Sequence, residues 1–482
     1  MSFYIYDIIF LLVFFAVAGI FLYINRKNLK FEKPLLLYRT KVGLKVIDYI
    51  SKKFEKQLKI LSYAVIAAGY ILMIFMVYLL VQIIYIYFKF PAVVRAVKIP
   101  PFMPLVPYIT EIFNVHEIFP PFYFTYWIIA VAIIAVFHES AHGIFARLNK
   151  IRVKSTGFGF LGPFLAAFVE PDEKQIKKKS RFAQLSVLSA GSFANIVMAL
   201  IFLLIMWLFF ALAFAQSGAI FNTYTYSFVN ITSISSIDNK MLESYRAGSI
   251  LDSIIDINKT LIEVRGGNRS YVTTRDILTK QLNTTEEIDE IMLYDDAPAI
   301  RSNMSGAIIE IDGIKIKNAE DLGDVLSRYN PGDSIITKTE SKNKTAAYTR
   351  EYAIVLAENP ENKSRAFLGI GIIGAGRGFF WGIGDIFMFK SQSTYYKPKI
   401  EGLSDFTMFI YNLLWWIVLI NFGVGLFNML PVGIFDGGQV FYLTVLGITK
   451  SEKIAKKAFS IATKIILLMF LLLVAFWIFA FR

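Results

Sequence analysis

The chain of 482 residues contains no cysteine and only three histidines, and 18% of its residues carry a charge. Without cysteine it cannot form a disulfide, use a thiol as nucleophile or bind a metal through thiolates. Any metal site must therefore use carboxylates and the three histidines, which are His116, His138 and His142. The scarcity of charge accompanies a hydrophobic fraction of 56% and a mean hydropathy of +0.53. This composition excludes an ordinary soluble protein of this length.

Six apolar runs are long enough to cross a bilayer as helices, which takes about 20 residues. The first run lacks the charged start and the small-residue cleavage site of a signal peptide, so it is predicted to be a membrane helix. The predicted fold class is thus an α-helical polytopic membrane protein, with spans at about 3–24, 60–88, 122–146, 184–214, 406–428 and 458–480.

The formal net charge of +13 is concentrated in three loops between these runs. Residues 25–59 contain eleven Lys and Arg, residues 147–181 nine and residues 450–457 four. Basic loops that flank membrane spans stay on the cytoplasmic side, which predicts that both termini and residues 89–121 and 215–405 lie outside. The basic loops suit the anionic headgroups of the lipid bilayer as partner, and no nucleic acid is expected.

The region 216–370 is polar enough to lie in water, and it holds all the N-x-S/T sequons of the chain. Such sequons accept glycans on the extracytoplasmic side, although an Asn-, Ser- and Thr-rich surface also produces them by chance. Both interpretations are compatible with an external domain. The sequons are at Asn230, Asn258, Asn268, Asn283, Asn303, Asn343 and Asn362.

Strand and turn signals dominate this region. The stretch "GAIIEIDGIKI" (306–316) predicts a hairpin that turns at Asp312-Gly313. A helix is predicted to follow, with Asn318 as its N-cap and Pro331-Gly332 beyond its end. Further strands are predicted at "SIITKT", "YAIVLA" and "FLGIGI".

This order of elements resembles a PDZ domain, and residues 296–373 would form it. The stretch 247–262 looks like a weaker version of the same hairpin, which predicts two tandem PDZ-like modules within residues 216–375. A PDZ fold binds extended peptide, such as the new end of a cleaved substrate, by adding a strand to its sheet. The alternative is a spacer domain without a ligand.

The stretch "FHESAHG" (137–143) ends an apolar run. His138 and His142 are four residues apart, so on a helix they share one face and could grip one metal ion. Glu139 could then reach a water molecule at the metal, which is the arrangement of zinc hydrolases. Ionisable groups in membrane segments are costly and usually functional. A chance occurrence, which explains many such motifs on the surface of soluble helices, is therefore a weaker explanation here.

Catalytic zinc takes three protein ligands and keeps one open position. His116 would lie across the membrane from His138, so the third ligand is expected to be a carboxylate. Glu170 and Asp172 follow "GFGFLGPFLAAFV", and Asp436 lies in "NMLPVGIFDGG". That second segment is an apolar helix broken near membrane depth, where a lone aspartate needs a partner such as Zn²⁺.

These motifs together resemble the site-2 protease family of intramembrane zinc metalloproteases, peptidase family M50. The family pattern N-x-x-P-x-x-x-x-D-G is matched at Asn428, Pro431 and Asp436-Gly437, and its G-x-x-x-N pattern at Gly191 and Asn195. An inserted extracytoplasmic PDZ module is also a family feature. Residues 1–100 match nothing in the family beyond two extra spans.

The resemblance implies Zn²⁺ as cofactor, His138, His142 and Asp436 as its ligands, and Glu139 as the general base. Asn195 would be catalytic, hydrogen-bonding the scissile peptide or its oxyanion; the alternative is that it joins neighbouring helices. Asn428 and Pro431 would shape the loop that presents Asp436. The implied reaction is hydrolysis of peptide bonds within or near transmembrane helices of membrane protein substrates.

The hairpin-like stretch 157–170 could offer an edge strand near the zinc to an unwound substrate segment. Phe158, Phe160 and Phe164 would shield that strand from lipid. The alternative is a loop that merely dips into the membrane interface.

The predicted organisation has four parts. Two N-terminal helices and their basic loop occupy residues 1–88, and the first part of the membrane core, with His138 and Asn195, occupies 89–215. The extracytoplasmic PDZ-like region follows at 216–375, and the second part of the core, with Asp436 and the C-terminal helix, occupies 376–482.

Functions of other classes remain open from the residues alone. A membrane zinc transporter also places His and Asp in membrane spans, but it needs ligands at several depths. A catalytically silent PDZ scaffold has no use for Glu139. A membrane zinc protease of the prenyl-protein type takes a glutamate as third ligand, and the Asp436-Gly437 motif argues against it.

Overall fold

In the computed structural model, the described residues are 3–32, 35–90, 100–113, 115, 119–161, 164–242, 247–254, 259–267, 269–282, 289–342, 347–371, 391 and 393–480. The chain divides into two compact units. Unit 1 comprises Met1–Phe209 and Asp405–Arg482, and unit 2 comprises Phe210–Ser404.

The described residues include six helices long and apolar enough to cross a membrane, in agreement with the six predicted spans. Four of them begin before the predicted span, at Glu55, Arg181, Ser404 and Glu452, because a turn with charged or polar residues precedes each apolar stretch. The chain is therefore a polytopic α-helical membrane protein with a β-rich middle region. The six helices are α1 (Phe3–Ile24), α3 (Glu55–Lys89), α5 (Phe124–Leu148), α7 (Arg181–Ala213), α12 (Ser404–Phe427) and α14 (Glu452–Ala480).

Shorter helices of unit 1 connect or flank these spans. Among them, α13 begins at Asp436, directly after the break in the apolar segment that the sequence predicted. The short helices are α2 (Leu44–Lys53), α4 (Ile109–Ile112), α6 (Glu173–Lys177) and α13 (Asp436–Thr449).

A four-stranded antiparallel sheet of order β1-β2-β3-β4 belongs to unit 1. Its strands are β1 (Leu29–Glu32), β2 (Leu35–Thr40), β3 (Val153–Leu161) and β4 (Phe164–Pro171). The hairpin predicted at 157–170 is thus confirmed, although Gly162 and Pro163 at its turn lie outside the described residues. The pairing of β2 with β3, for example Tyr38 with Phe158, was not predicted and leaves β4 at one edge.

The carboxylate of Asp7 in α1 caps the first turn of α5. Its oxygens accept the backbone N–H groups of Phe124 and Thr125, both at 2.8 Å, and the hydroxyl of Tyr108 at 2.5 Å. The first N–H groups of a helix have no partner within the helix, and an anion there also complements the helix dipole. Asp7 is 1% exposed, which makes it a buried link between α1 and the helix that carries His138.

Unit 2 is built from two six-stranded sheets, two short β-pairs and short helices. The first sheet has the order β7-β12-β11-β10-β8-β9, and the main path of the second is β16-β15-β13-β5-β20, with β14 beside β13. Each sheet has its own buried core, centred on residues such as Ile262 and Leu293 in the first and Ile308 and Ile335 in the second. Pairing of β5 with β20 brings the two ends of unit 2 together.

The strands of unit 2 follow one another with helices between them. They are β5 (Phe214–Ala219), β6 (Thr223–Tyr224), β7 (Tyr226–Asn230), β8 (Ile234–Ile237), β9 (Lys240–Met241), β10 (Ile262–Gly266), β11 (Arg269–Thr273), β12 (Glu290–Asp295), β13 (Ala307–Ile311), β14 (Ile314–Lys315), β15 (Ser334–Lys342), β16 (Ala347–Val355), β17 (Ala357–Glu358), β18 (Ala366–Phe367), β19 (Ile370–Gly371) and β20 (Thr394–Pro398). The helices are α8 (Ala247–Ile254), α9 (Arg275–Leu282), α10 (Pro298–Arg301) and α11 (Ala319–Leu326).

Most local predictions for unit 2 are confirmed. Strands β13 and β14 form the predicted hairpin, and Asp312 and Gly313 at its turn both have positive φ, at 46° and 79°. The side chain of Asn318 accepts the backbone N–H of Asp321 at 2.9 Å, as an N-cap of α11. Among the predicted sequons, Asn258, Asn268, Asn283 and Asn343 lie outside the described residues.

The hairpin predicted at 247–262 is wrong. Residues Ala247–Ile254 form helix α8, because Ile250 and Ile254 are four apart and both are buried on one face. A hairpin does follow this helix, where β10 pairs with β11 from Ile262 to Thr273. The apolar residues of this stretch therefore repeat with the period of a helix and not with that of a strand.

Candidate active site

Helix α5 places His138 and His142 one turn apart, with their Nε2 atoms 3.1 Å from each other. The Nδ1 atom of His142 lies 2.7 Å from the carbonyl oxygen of Val187 in α7. A carbonyl only accepts hydrogen bonds, so this Nδ1 carries the proton and Nε2 presents a lone pair. On His138, Nδ1 lies 3.1 Å from the amide nitrogen of Asn195, which is fully buried in α7. Both rings are thus fixed by contacts at their Nδ1 atoms, and their Nε2 atoms point to the same place.

The backbone of α7 passes directly beside the two imidazoles at Gly191. A Cβ atom on this residue would lie 2.3 Å from His142 Nε2 and 2.5 Å from His138 Cε1. Real Cβ atoms do not approach so closely, and the rings are already fixed by Val187 and Asn195. Only glycine therefore allows α7 to pass beside the two histidines in this way.

Asp436 reaches the same place through a tight loop between α12 and α13. The backbone N–H of Gly437 donates to the carbonyl of Asn428 at 2.8 Å, which closes the loop. A Cβ atom on Gly437 would lie 2.2 Å from the backbone of Met429, and one on Gly438 would lie 2.2 Å from the carbonyl of Val432. The loop that presents Asp436 therefore requires both glycines for its close packing.

The three side chains form a group that fits a tetrahedral metal ion. Asp436 Oδ2 lies 3.3 Å from His142 Nε2 and 3.8 Å from His138 Nε2. Ligands about 2.0–2.1 Å from a tetrahedral zinc ion are about 3.3 Å apart, close to the observed separations. Two imidazole Nε2 atoms and a carboxylate oxygen that face one another at these distances also suit a cation between them. In the described part of the chain, the ligand atoms of His138, His142 and Asp436 lie within 4.8 Å of one another, close enough to hold one metal ion.

Glu139 points to a different neighbour, the edge strand β4. Its Oε2 atom accepts the backbone N–H of Val169 at 2.9 Å. Since Val169 lies in the edge strand of the sheet, the side of β4 without a partner strand faces Glu139. Glu139, the residue directly after the candidate metal ligand His138, therefore has its carboxylate at the sheet edge.

The other two candidate carboxylates have different partners. Glu170 accepts from Ser155 Oγ at 2.7 Å and from Arg39 Nε at 3.1 Å, and these contacts hold the pKa of Glu170 below its usual value. Asp172 caps helix α6 by accepting the backbone N–H of Lys174 at 3.0 Å. The structure brings Asp436, and neither of these two, to the histidines. His116 lies outside the described residues.

A family model described as peptidase family M50 matches residues 126–473, well over half of the chain. The chain belongs to this family. Members are membrane zinc metalloproteases of the site-2 type, so the protein is an enzyme that hydrolyses peptide bonds. The match begins within α5 and includes both glycine-dependent approaches described above, while α1 and α3 lie outside it. No curated protein was found to match the chain.

Several residues of this M50 protease were not identified from the sequence. The carbonyl of Val187 and the amide of Val169 are backbone groups, which carry no sequence signal. Gly191 was noted as part of a motif, but nothing local indicated that it lies against both imidazoles. Asp7 could have been suspected as an ionisable residue within an apolar span, which is usually functional.

Proposed function

We propose that this protease cleaves peptide bonds within or near the transmembrane helices of membrane protein substrates. The observation that carries the proposal is the convergence of His138 and His142 from α5 and Asp436 from the start of α13 on one point, within a bundle of membrane-length helices. A zinc transporter would need further ligands along a path, whereas family membership establishes an enzyme.

In this proposal, His138, His142 and Asp436 hold the zinc ion, which when bound polarises the scissile carbonyl and a water molecule. Glu139 takes a proton from the attacking water and delivers it to the leaving amine. Its carboxylate accepts the N–H of Val169, which fixes the position of the Glu139 side chain before substrate arrives. Asn195 positions the His138 ring through their contact, and its predicted hydrogen bond to the scissile peptide stays a prediction.

We further propose that the substrate binds as an added strand on β4. A transmembrane helix conceals its peptide bonds, so the scissile segment must become extended before it is cleaved. Strand β4 offers an edge, and Glu139 contacts that edge at Val169. An extended segment paired there would lie next to the proposed base. The half-exposed ring of Phe158 on β3 is available to cover it.

The orientation is proposed on charge alone. The three basic loops would lie in the cytoplasm, so cleavage would occur near the cytoplasmic side, and unit 2 would lie outside. The two modules of unit 2 would act as PDZ-like domains that limit access by size or bind the new ends of substrates that have lost their external domains. The modules would thus make cleavage depend on an earlier cut.

The mechanism is tested with the variant Glu139→Gln. Glutamine still offers an oxygen to the N–H of Val169, so the local structure should persist, but it cannot accept a proton from water. We expect normal zinc content by elemental analysis and no cleavage of a single-span model substrate in detergent. Glu170→Gln is the matched control, because it removes a nearby carboxylate that contacts Arg39 and Ser155 instead. Wild-type turnover by Glu139→Gln would refute the mechanism.

A further inference from the structure

A cavity of about 450 Å³ lies in unit 1 at the ends of two membrane-length helices. Glu55, the first residue of α3, and Leu148, the last residue of α5, both line it. The cavity is therefore placed near the boundary between the hydrocarbon and water. The remaining lining residues are Asp48, Ser51, Lys52, Arg147, Lys150, Ile151, Arg152 and Gln175.

The charges around this cavity do not balance. Of its two carboxylates, Asp48 lies 2.7 Å from Arg147, and Glu55 lies 2.6 Å from Lys59. Lys52, Lys150 and Arg152 remain, and none of them has a carboxylate within ion-pair distance in the described part of the chain. Three cations that form no ion pair among the described residues thus line one space, and Lys150 also attracts Glu55 across it.

Two further groups have hydrogen-bond donors to spare. The Nε atom of Arg147 is buried, and although Asp48 is close, no acceptor is aligned with its N–H. The Oε1 atom of Gln175 accepts the backbone N–H of Arg152 at 2.9 Å, which leaves the amide N–H₂ group of Gln175 to donate. A buried donor without an acceptor is costly, so Arg147 favours an anion with several acceptor oxygens, and the partly exposed amide of Gln175 can donate to the same anion.

Helix α2, which supplies Asp48, Ser51 and Lys52 to the cavity, also exposes apolar side chains on another face. Val42, just before the helix, and Val46 and Tyr49 within it are 80%, 58% and 57% exposed, at the spacing of one helical face. Basic residues next to an exposed apolar face are typical of a helix that lies in the membrane interface. The anion nearest to such a helix is a phospholipid headgroup.

We propose that this cavity binds a phosphate group, supplied by the headgroup of an anionic phospholipid. Lys52, Lys150 and Arg152 bind the phosphate, and Arg147 and Gln175 donate to its oxygens. Helix α2 also packs against α5 at Gly143, where a Cβ atom would lie 3.0 Å from Ile47, next to His142. The bound lipid therefore joins α2 to the end of the helix that carries the candidate active site.

The test uses native mass spectrometry of the detergent-purified full chain with dioleoyl phosphatidylglycerol, and with dioleoyl phosphatidylcholine for comparison. The triple variant Lys52→Gln/Lys150→Gln/Arg152→Gln should weaken binding of phosphatidylglycerol by about a hundredfold, since each cation near an anionic headgroup strengthens binding by about fivefold. The control Lys177→Gln/Lys178→Gln/Lys453→Gln removes the same charge from exposed positions outside the cavity and should bind like the wild type. If the triple variant fails to fold, Lys52→Gln/Lys150→Gln should show an intermediate loss.

Sodium phosphate, added as a competitor, identifies the source of the phosphate group. Failure of millimolar phosphate to displace the lipid supports the headgroup, whereas displacement supports the same site with a soluble phosphate as its ligand. Equal binding of phosphatidylglycerol by the cavity variant and the control would overturn the site. If the wild type binds phosphatidylcholine as well as phosphatidylglycerol, the proposed preference for an anionic headgroup is wrong.

Discussion

At the scale of single residues, the candidate active site depends as much on its glycines as on its ionisable side chains. Gly191 lies against both imidazoles, and Gly437 and Gly438 lie against the loop that presents Asp436. The histidines and Glu139 could be predicted because their spacing along one helix is local information. The contacts of Gly191 could not, because they depend on how α7 crosses α5.

The variant Gly191→Ala should lower metal affinity, since its Cβ atom would lie 2.3 Å from His142 Nε2 and must displace the ring. Loss of groups that orient metal ligands typically costs about 10–100-fold in affinity. Competition for zinc against a chelator measures it. Gly423→Ala is the matched control, because a Cβ atom there meets nothing within 4 Å in another membrane helix. Equal affinity of the two variants would contradict the close approach.

The variant Asp436→Ala should lose both zinc and activity, because it removes one of the three proposed ligands. Glu170→Ala and Asp172→Ala should keep the metal, since their carboxylates bind Ser155 and Arg39 or cap α6. Elemental analysis of the three purified variants decides between them. Full zinc in Asp436→Ala, together with loss in either of the others, would contradict the ligand set.

At the scale of elements, the helices could be predicted and their partners could not. Hydropathy located the six spans, and turn chemistry located the hairpin at Asp312-Gly313, because both signals are local. Strand β2 joins β3 across more than a hundred residues of sequence, and a strand of ordinary composition does not specify such a distant partner. The link from α1 to α5 through Asp7 is non-local for the same reason.

The variant Asp7→Ala should destabilise the bundle, because it leaves the buried N–H groups of Phe124 and Thr125 without their acceptor. Loss of a helix cap or of an acceptor for a buried donor costs about 1–3 kcal/mol. Thermal unfolding in detergent should show a lower midpoint than for Asp405→Ala, which removes an exposed carboxylate from the first turn of α12. A midpoint equal to that of the control would show that the cap contributes nothing.

At the scale of the whole molecule, charge is the feature that proposes an orientation. The basic loops at 25–59, 147–181 and 450–457 alternate with the six spans in a way that assigns them to one side. Retention of Lys- and Arg-rich loops in the cytoplasm then directs the β-rich unit 2 outward. Accessibility of unit 2 and of the basic loops, measured in intact cells, tests this orientation directly.

The absence of cysteine makes this orientation directly measurable, because single cysteines can be introduced without background labelling. Ser327→Cys lies at an exposed position of unit 2, whereas Lys178→Cys and Lys453→Cys lie at exposed positions of two basic loops. A membrane-impermeant maleimide added to intact cells should label Ser327→Cys alone, and permeabilised cells should label all three. The proposed orientation places unit 2 in contact with the outside medium, so its thiol needs no disruption of the bilayer to react. Labelling of Lys178→Cys in intact cells, with protection of Ser327→Cys, would reverse the orientation and place cleavage near the opposite membrane surface.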